Sequence, residues 1–220
     1  MKRNFLILTI VIISISSIHF SFKSNDCEDK DIIKYFVNPD LDKTNYRLFE
    51  SKNTILPKVL FKQIIKKNTD SDGINMEYYF MTPDSIPYYG GIENISFDTV
   101  KILEQYIYLD NRKIKAHKIT GEIWKPYLEA PKTITNEFFD KESGLGIKSI
   151  SQTFVSFKDT LNTKSFMIEF KSKAIMYRDG EKFNEIYSNT KRLYLKNKGL
   201  VYYKETVDNE DSDYYLVKNY

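Results

Sequence analysis

The chain of 220 residues has two histidines, His19 and His117, and one cysteine, Cys27. That count excludes a His-rich zinc site, and no cysteine pair replaces it. A lone thiol forms no internal disulfide. A Ser-His-Asp triad would have to use His117, inside "KIKAHKI", and no Gly-x-Ser-x-Gly elbow accompanies it. His117 reads instead as a strand residue facing solvent or a polar partner. There is no Gly-rich phosphate loop. An excess of one charge is also missing: 33 Lys and Arg are interleaved with 30 Asp and Glu. No basic stripe survives, so nucleic acid has no electrostatic footprint here. The sequence calls for no cofactor and names no catalytic or metal-binding residue.

What is present begins with an N-terminal segment. Lys2 and Arg3 precede "FLILTIVIISI", Phe5 to Ile15, and small residues follow at Ser16, Ser17 and Ser21. Residues 1–22 read as a signal peptide or an N-terminal anchor. Cys27 adds a lipoprotein reading, against which Asp26 stands just before it. Each reading places the remainder outside the cytoplasm, in the periplasm or on the cell envelope of a bacterium. The membrane then enters only through this segment, if it is uncleaved or lipidated. Cleavage removes Lys2 and Arg3 and lowers the net charge from +3 to +1.

Residues 23–56 read as a helix and a polar connection. "EDKDIIKYFV" places Ile32, Ile33 and Phe36 on one helical face, and Asn38-Pro39-Asp40 stops it. Residues 57–220 read as a single β-rich domain. Tyr and Phe number 17 and 15, a composition that suits pleated sheet, although a genome bias towards Tyr, Ile, Asn and Lys produces the same enrichment. Paired strand-like runs flank Asp70-Ser71-Asp72-Gly73, Asp110-Asn111 and Arg178-Asp179-Gly180, the signature of hairpins. In "FMIEF", Phe166, Ile168 and Phe170 share a face. In "KILEQYIYL", the breaks near Ile102 and Gln105 predict a bulge or register change. No long amphipathic helix separates the strands, which argues against a parallel sheet. The fold class is therefore mainly β: an antiparallel curved sheet or half-open barrel with a short N-terminal helix.

"FFDKESGLGIKS" and "LYLKNKGLVYYK" echo each other, with Gly144-Leu145 aligned on Gly199-Leu200. The spacing is not that of a strict repeat. The stretch "EKFNEIY" followed by "KRLYLKNKGLVYYKE", about residues 179–205, resembles the closing strands of exported bacterial LolA-like half-open β-barrel proteins. The resemblance implies an envelope protein with a curved sheet around an apolar cavity, and it brings no catalytic residues.

Asn68, Asp70, Asp72 and Gly73 begin like an EF-hand loop, but position 12 is Tyr79 where a bidentate Glu belongs. With strand-like flanks, the stretch reads as a turn. "DNEDSD", Asp208 to Asp213, reads as a second solvated turn. The remaining signal is aromatic. Tyr78-Tyr79, Tyr88-Tyr89, Tyr202-Tyr203 and Tyr214-Tyr215 are doublets, and adjacent strand residues face opposite sides. Each doublet supplies one core ring and one for the other face. "PDSIPYYGGIE", Pro83 to Glu93, reads as a binding loop. Tyr88, Tyr89, Tyr79 and Tyr203 are the candidate ligand or partner contacts. Trp124 reads as a core anchor.

Three functions follow from these readings. The first is a non-enzymatic binding module for an apolar or amphipathic small molecule or lipid. The second is a structural or protein-interaction component of the envelope, which would bind another envelope protein. The third is a carboxylate-dependent hydrolase, which needs only two convergent acids.

Overall fold

Short turns with left-handed residues order this chain. Asp110 and Asn111 have φ of 50° and 63°, and Asp179 and Gly180 have φ of 52° and 87°. Two consecutive positive φ values make the hairpin turn whose twist matches the strands it joins. The computed structural model describes residues 31–36, 44–51, 58–67, 73–126, 131–160, 163–207 and 210–219. The predicted N-terminal segment, Cys27, the Asn38-Pro39-Asp40 stop and the Asn68 to Asp72 turn lie outside them.

Among the described residues, thirteen strands form one antiparallel sheet: β1 (Thr44–Ser51), β2 (Val59–Lys67), β3 (Ile74–Met81), β4 (Pro87–Ile95), β5 (Val100–Leu109), β6 (Arg112–Thr120), β7 (Ile123–Trp124), β8 (Lys132–Asp140), β9 (Leu145–Thr160), β10 (Thr163–Arg178), β11 (Glu181–Leu195), β12 (Gly199–Val207) and β13 (Glu210–Asn219). Strands β4 and β5 pair, and so do β1 and β13, so twelve strands close into a barrel. The two-residue β7 pairs only with β5. The predicted antiparallel β class holds, and the barrel is closed. The predicted irregularity near Ile102 is a register shift: Ile92 faces Glu104, whereas Glu93 faces Ile102.

Closure depends on β1, which lies within the stretch read as a polar connection. Its inward face carries Arg47 and Phe49, at 2% and 1% exposure, while Tyr46 and Leu48 face outward. The usual alternation of apolar inside and polar outside is broken by a buried arginine, so the sequence pattern did not mark a strand. The acidic run likewise straightens: residues 210–213 belong to β13, and Asp211 pairs with Lys204 on β12 at 2.7 Å.

One end of the barrel is filled. Helix α1 (Ile33–Phe36) is a single turn, shorter than the predicted helical face. The Asp31 carboxylate caps it by accepting from the Ile33 N–H at 3.2 Å. Ile32, Tyr35 and Phe36 are buried, and Ile33 is only half-buried. The Phe36 ring meets Tyr194 at a tilt, 4.8 Å between centroids, and Phe166 edge-on at 5.6 Å. Tyr35 meets Phe157 and Phe166. Backbone bonds fix the plug to strand ends: Ile32 N–H donates to Phe97 O at 3.1 Å, and Asn197 N–H to Lys34 O at 2.7 Å. The outer wall is charged. Lys148 pairs with Glu137, Lys173 with Glu185 and Lys191 with Glu169. These are not the apolar outward positions of a lipid-facing barrel.

Candidate functional site

Above the aromatic plug the lumen is not filled. A cavity of about 360 Å³ remains, in the range of small-molecule sites. Tyr88 lines it and is 41% exposed, so this residue marks the mouth.

One wall is aromatic. Inward alternation on β3 buries Tyr78 and Phe80. Phe80 lies 6.2 Å from Tyr89, 6.4 Å from Tyr88 and 5.5 Å from Tyr203. Two glycines make this wall possible. Gly91 faces Tyr78 across the ladder, and Gly90 faces Tyr79. A Cβ on Gly91 would stand 3.1 Å from the Tyr78 hydroxyl, and one on Gly90 would stand 2.8 Å from the Tyr79 ring. The Tyr78 ring thus crosses β4 on the inside and the Tyr79 ring crosses it on the outside. The opposite wall sets short hydroxyl side chains from β9, β10 and β11 among Ile147, Phe170, Ala174 and Met176. Ser151 Oγ and Ser172 Oγ are 2.7 Å apart, and Ser188 and Thr190 continue that face.

Among the described residues, three charged ones line the cavity: Glu93, Glu205 and Arg192. Glu93 sits on β4 behind the register shift and is 9% exposed. Burial raises its carboxyl above the ordinary value, while Arg192 and a hydrogen bond from Tyr78 pull it back. Tyr89 is hydrogen-bonded to Tyr78, so the hydroxyls of Tyr89 and Tyr78 lead to the carboxylate of Glu93. Burial raises the pKa of both tyrosines, which keeps them neutral donors near pH 7. The Arg192 guanidinium lies over the rings of Phe80 and Phe170 at 4.9 and 5.1 Å. Its Nε is buried without a hydrogen-bond partner, as is Asn136 Oδ1 on the same lining. Glu205 accepts from the Tyr203 hydroxyl at 2.5 Å. The apolar remainder includes Ile102, Trp124 and Ile134; Trp124 is 5% exposed, as a core anchor should be.

Of the four candidate tyrosines, Tyr88, Tyr89 and Tyr203 are brought together on the cavity. Tyr79 is not with them. It lies on the outer face, donates to Glu77 and has the Lys113 ammonium 5.8 Å from its ring. The stretch read as a binding loop is a turn only up to Ile86; Pro87 to Glu93 belong to β4. Sequence reasoning missed Tyr78, Glu93, Gln105, Asn136, Arg192 and Glu205. Glu93 was within reach, because it alternates with Gly91 and Ile95. Arg192 was not, because Leu193 beside it suggests the opposite face.

No family model and no curated protein matches the chain. The LolA-like resemblance is not shown by these comparisons. A crystal structure of a candidate lipoprotein from Parabacteroides distasonis is similar in fold at 13% identity and a TM-score of 0.49. The match covers 84% of this chain and 98% of that one. At that score the likeness carries no argument about what the chain does.

Proposed function

We propose that this chain is an exported cell-envelope protein whose barrel binds a small amphipathic molecule in its lumen. One observation carries the binding reading. The cavity joins an aromatic wall of Phe80, Tyr89 and Tyr203 to charged and polar side chains on the same lining, Glu93, Asn136, Arg192 and Glu205. A barrel evolved only as a scaffold gains nothing from an open lumen lined by such groups, because enclosing polar side chains is costly unless they are matched. A ligand that packs on the rings and meets the polar side chains uses both. Export rests on the basic and apolar N-terminal segment of the sequence. Native mass spectrometry of the protein purified from a bacterial periplasm tests the reading. A bound mass should appear, and Ala174→Trp, which fills the lumen, should remove it while leaving the circular dichroism unchanged. A clean apo mass under native extraction counts against it.

A second reading, hydrolysis by a carboxylate pair, draws on one observation: Glu93, with its raised pKa, shares the cavity with Glu205. In that case Glu93→Gln and Glu205→Gln each abolish turnover of a glycoside or ester panel. In the binding reading, no member of the panel is turned over.

A further inference from the structure

The charges inside the lumen do not balance. Its described lining holds two carboxylates, Glu93 and Glu205, and one guanidinium, Arg192, with no lysine or histidine. The Arg192 guanidinium lies over the Phe80 and Phe170 rings, and its charge lowers the pKa of Glu93. Glu205 is held by a neutral donor, the Tyr203 hydroxyl, at 2.5 Å. Around Glu205 stand the rings of the mouth. Phe80 and Tyr203 are 5.5 Å apart, Phe80 and Tyr88 are 6.4 Å apart, and Tyr88 senses the Glu205 charge. Aromatic faces present negative potential, and a set of them beside a carboxylate is a cage for an organic cation. The same wall already holds a cation, since the Arg192 guanidinium lies over Phe80.

Resting on the lumen-binding reading, we propose that the ligand is a small organic cation, an amine or quaternary ammonium with an apolar body. Its charged group sits between Glu205, Tyr88, Tyr203 and Phe80. Its apolar body extends inward towards Ile102 and Trp124. An anion is disfavoured because it would meet two carboxylates around a single guanidinium. A neutral ligand leaves the Glu205 charge unmatched.

Three probes with one body and different charges test this: benzyltrimethylammonium, benzyl alcohol and benzoate, followed by calorimetry and ligand-observed NMR. The cation should bind roughly tenfold or more tightly than the alcohol, and benzoate should bind most weakly. Glu205→Gln should erase the preference for the cation, bringing its affinity down to that of the alcohol. Tyr88→Leu, at the exposed mouth, should weaken the cation more than the alcohol and guards against a Glu205 variant that does not fold. If benzoate or benzyl alcohol binds as tightly as the cation, the cation assignment falls and the lumen reading stands. If none of the three binds, the cation assignment also falls, and the lumen reading then depends on the native mass measurement alone.

Discussion

Arg47 and Gly199 share one space: the guanidinium of Arg47, on β1, lies where a side chain on Gly199, at the start of β12, would have to go. From there Arg47 NH1 donates to Leu200 O at 3.2 Å. Gly199 is also left-handed, with φ of 74°. Either condition alone favours glycine.

Gly199→Ala should therefore destabilise the barrel by about 2 kcal/mol or more, the sum of backbone strain and a steric conflict. Chemical denaturation measures this. Adding Arg47→Met should recover the steric part only. If the double variant is no more stable than the single one, the shared space is not the cause.

The Gly90-Gly91 pair makes a second test. A Cβ at Gly91 would lie 2.8 Å from Glu104 O, and one at Gly90 would lie 2.6 Å from Tyr78 O. Both neighbours are backbone and cannot swing aside. Alanine at either position should cost about 1–3 kcal/mol, and Gly91→Ala should also disturb the lumen through the Tyr78 hydroxyl. Tyr79→Ala, which leaves the wall intact on the inside, should leave probe binding in the lumen unchanged. Thermal melts and the probe titrations together separate these outcomes.

Glu93 predicts a pH dependence. Its folded pKa is raised by burial above the ordinary 4.5, so the folded state holds the proton more tightly than the unfolded chain does. The stability this group contributes is present at low pH and is lost as pH rises through the folded value. Glu93→Gln removes that change. The arginine it leaves behind stays charged from pH 4 to 8 and adds only a constant offset. The unfolding free energy of Glu93→Gln minus that of the native chain should thus increase as pH rises above about 4.5. Denaturant unfolding at several pH values reads the slope, and a flat or falling difference contradicts the assignment.

The plug should carry much of the stability. Phe36 is 1% exposed and packs against two rings. Phe36→Ala should cost about 3–5 kcal/mol, measured as a loss in denaturation midpoint without a change in fold.

The barrel was legible in the sequence wherever strands follow the ordinary alternation. Phe166, Ile168 and Phe170 share an inner face as read, and the Asp110-Asn111 and Asp179-Gly180 turns are where the polar pairs place them. The aligned Gly144-Leu145 and Gly199-Leu200 both have a left-handed glycine, with φ of 67° and 74°, so the internal echo is one of turn chemistry. Legibility fails where polar residues turn inward. Arg47 hid a whole strand, and Arg192 and Glu93 hid the charged part of the lumen. A period-two pattern reports which side is apolar, and in a barrel with a polar lumen the inner side is not uniformly so. Which tyrosines converge was also out of reach, because it depends on strand neighbours fixed by closure and on the two glycines that let rings cross β4.

Each of the twelve long strands has a hydrogen-bonded neighbour on both sides over part of its length, but among the described residues β9 pairs with β8 only up to Thr153 and β11 with β12 only from Ser188 onward. Residues 154–160 of β9 and 181–187 of β11 therefore each keep one open ladder edge, and a second copy of this chain that continues the sheet is directed to those two segments. Around the closed part of the barrel a partner meets side chains and turns. Colloidal behaviour then depends on the ion-pair ladders of the wall, which makes solubility sensitive to salt in a way that the backbone is not.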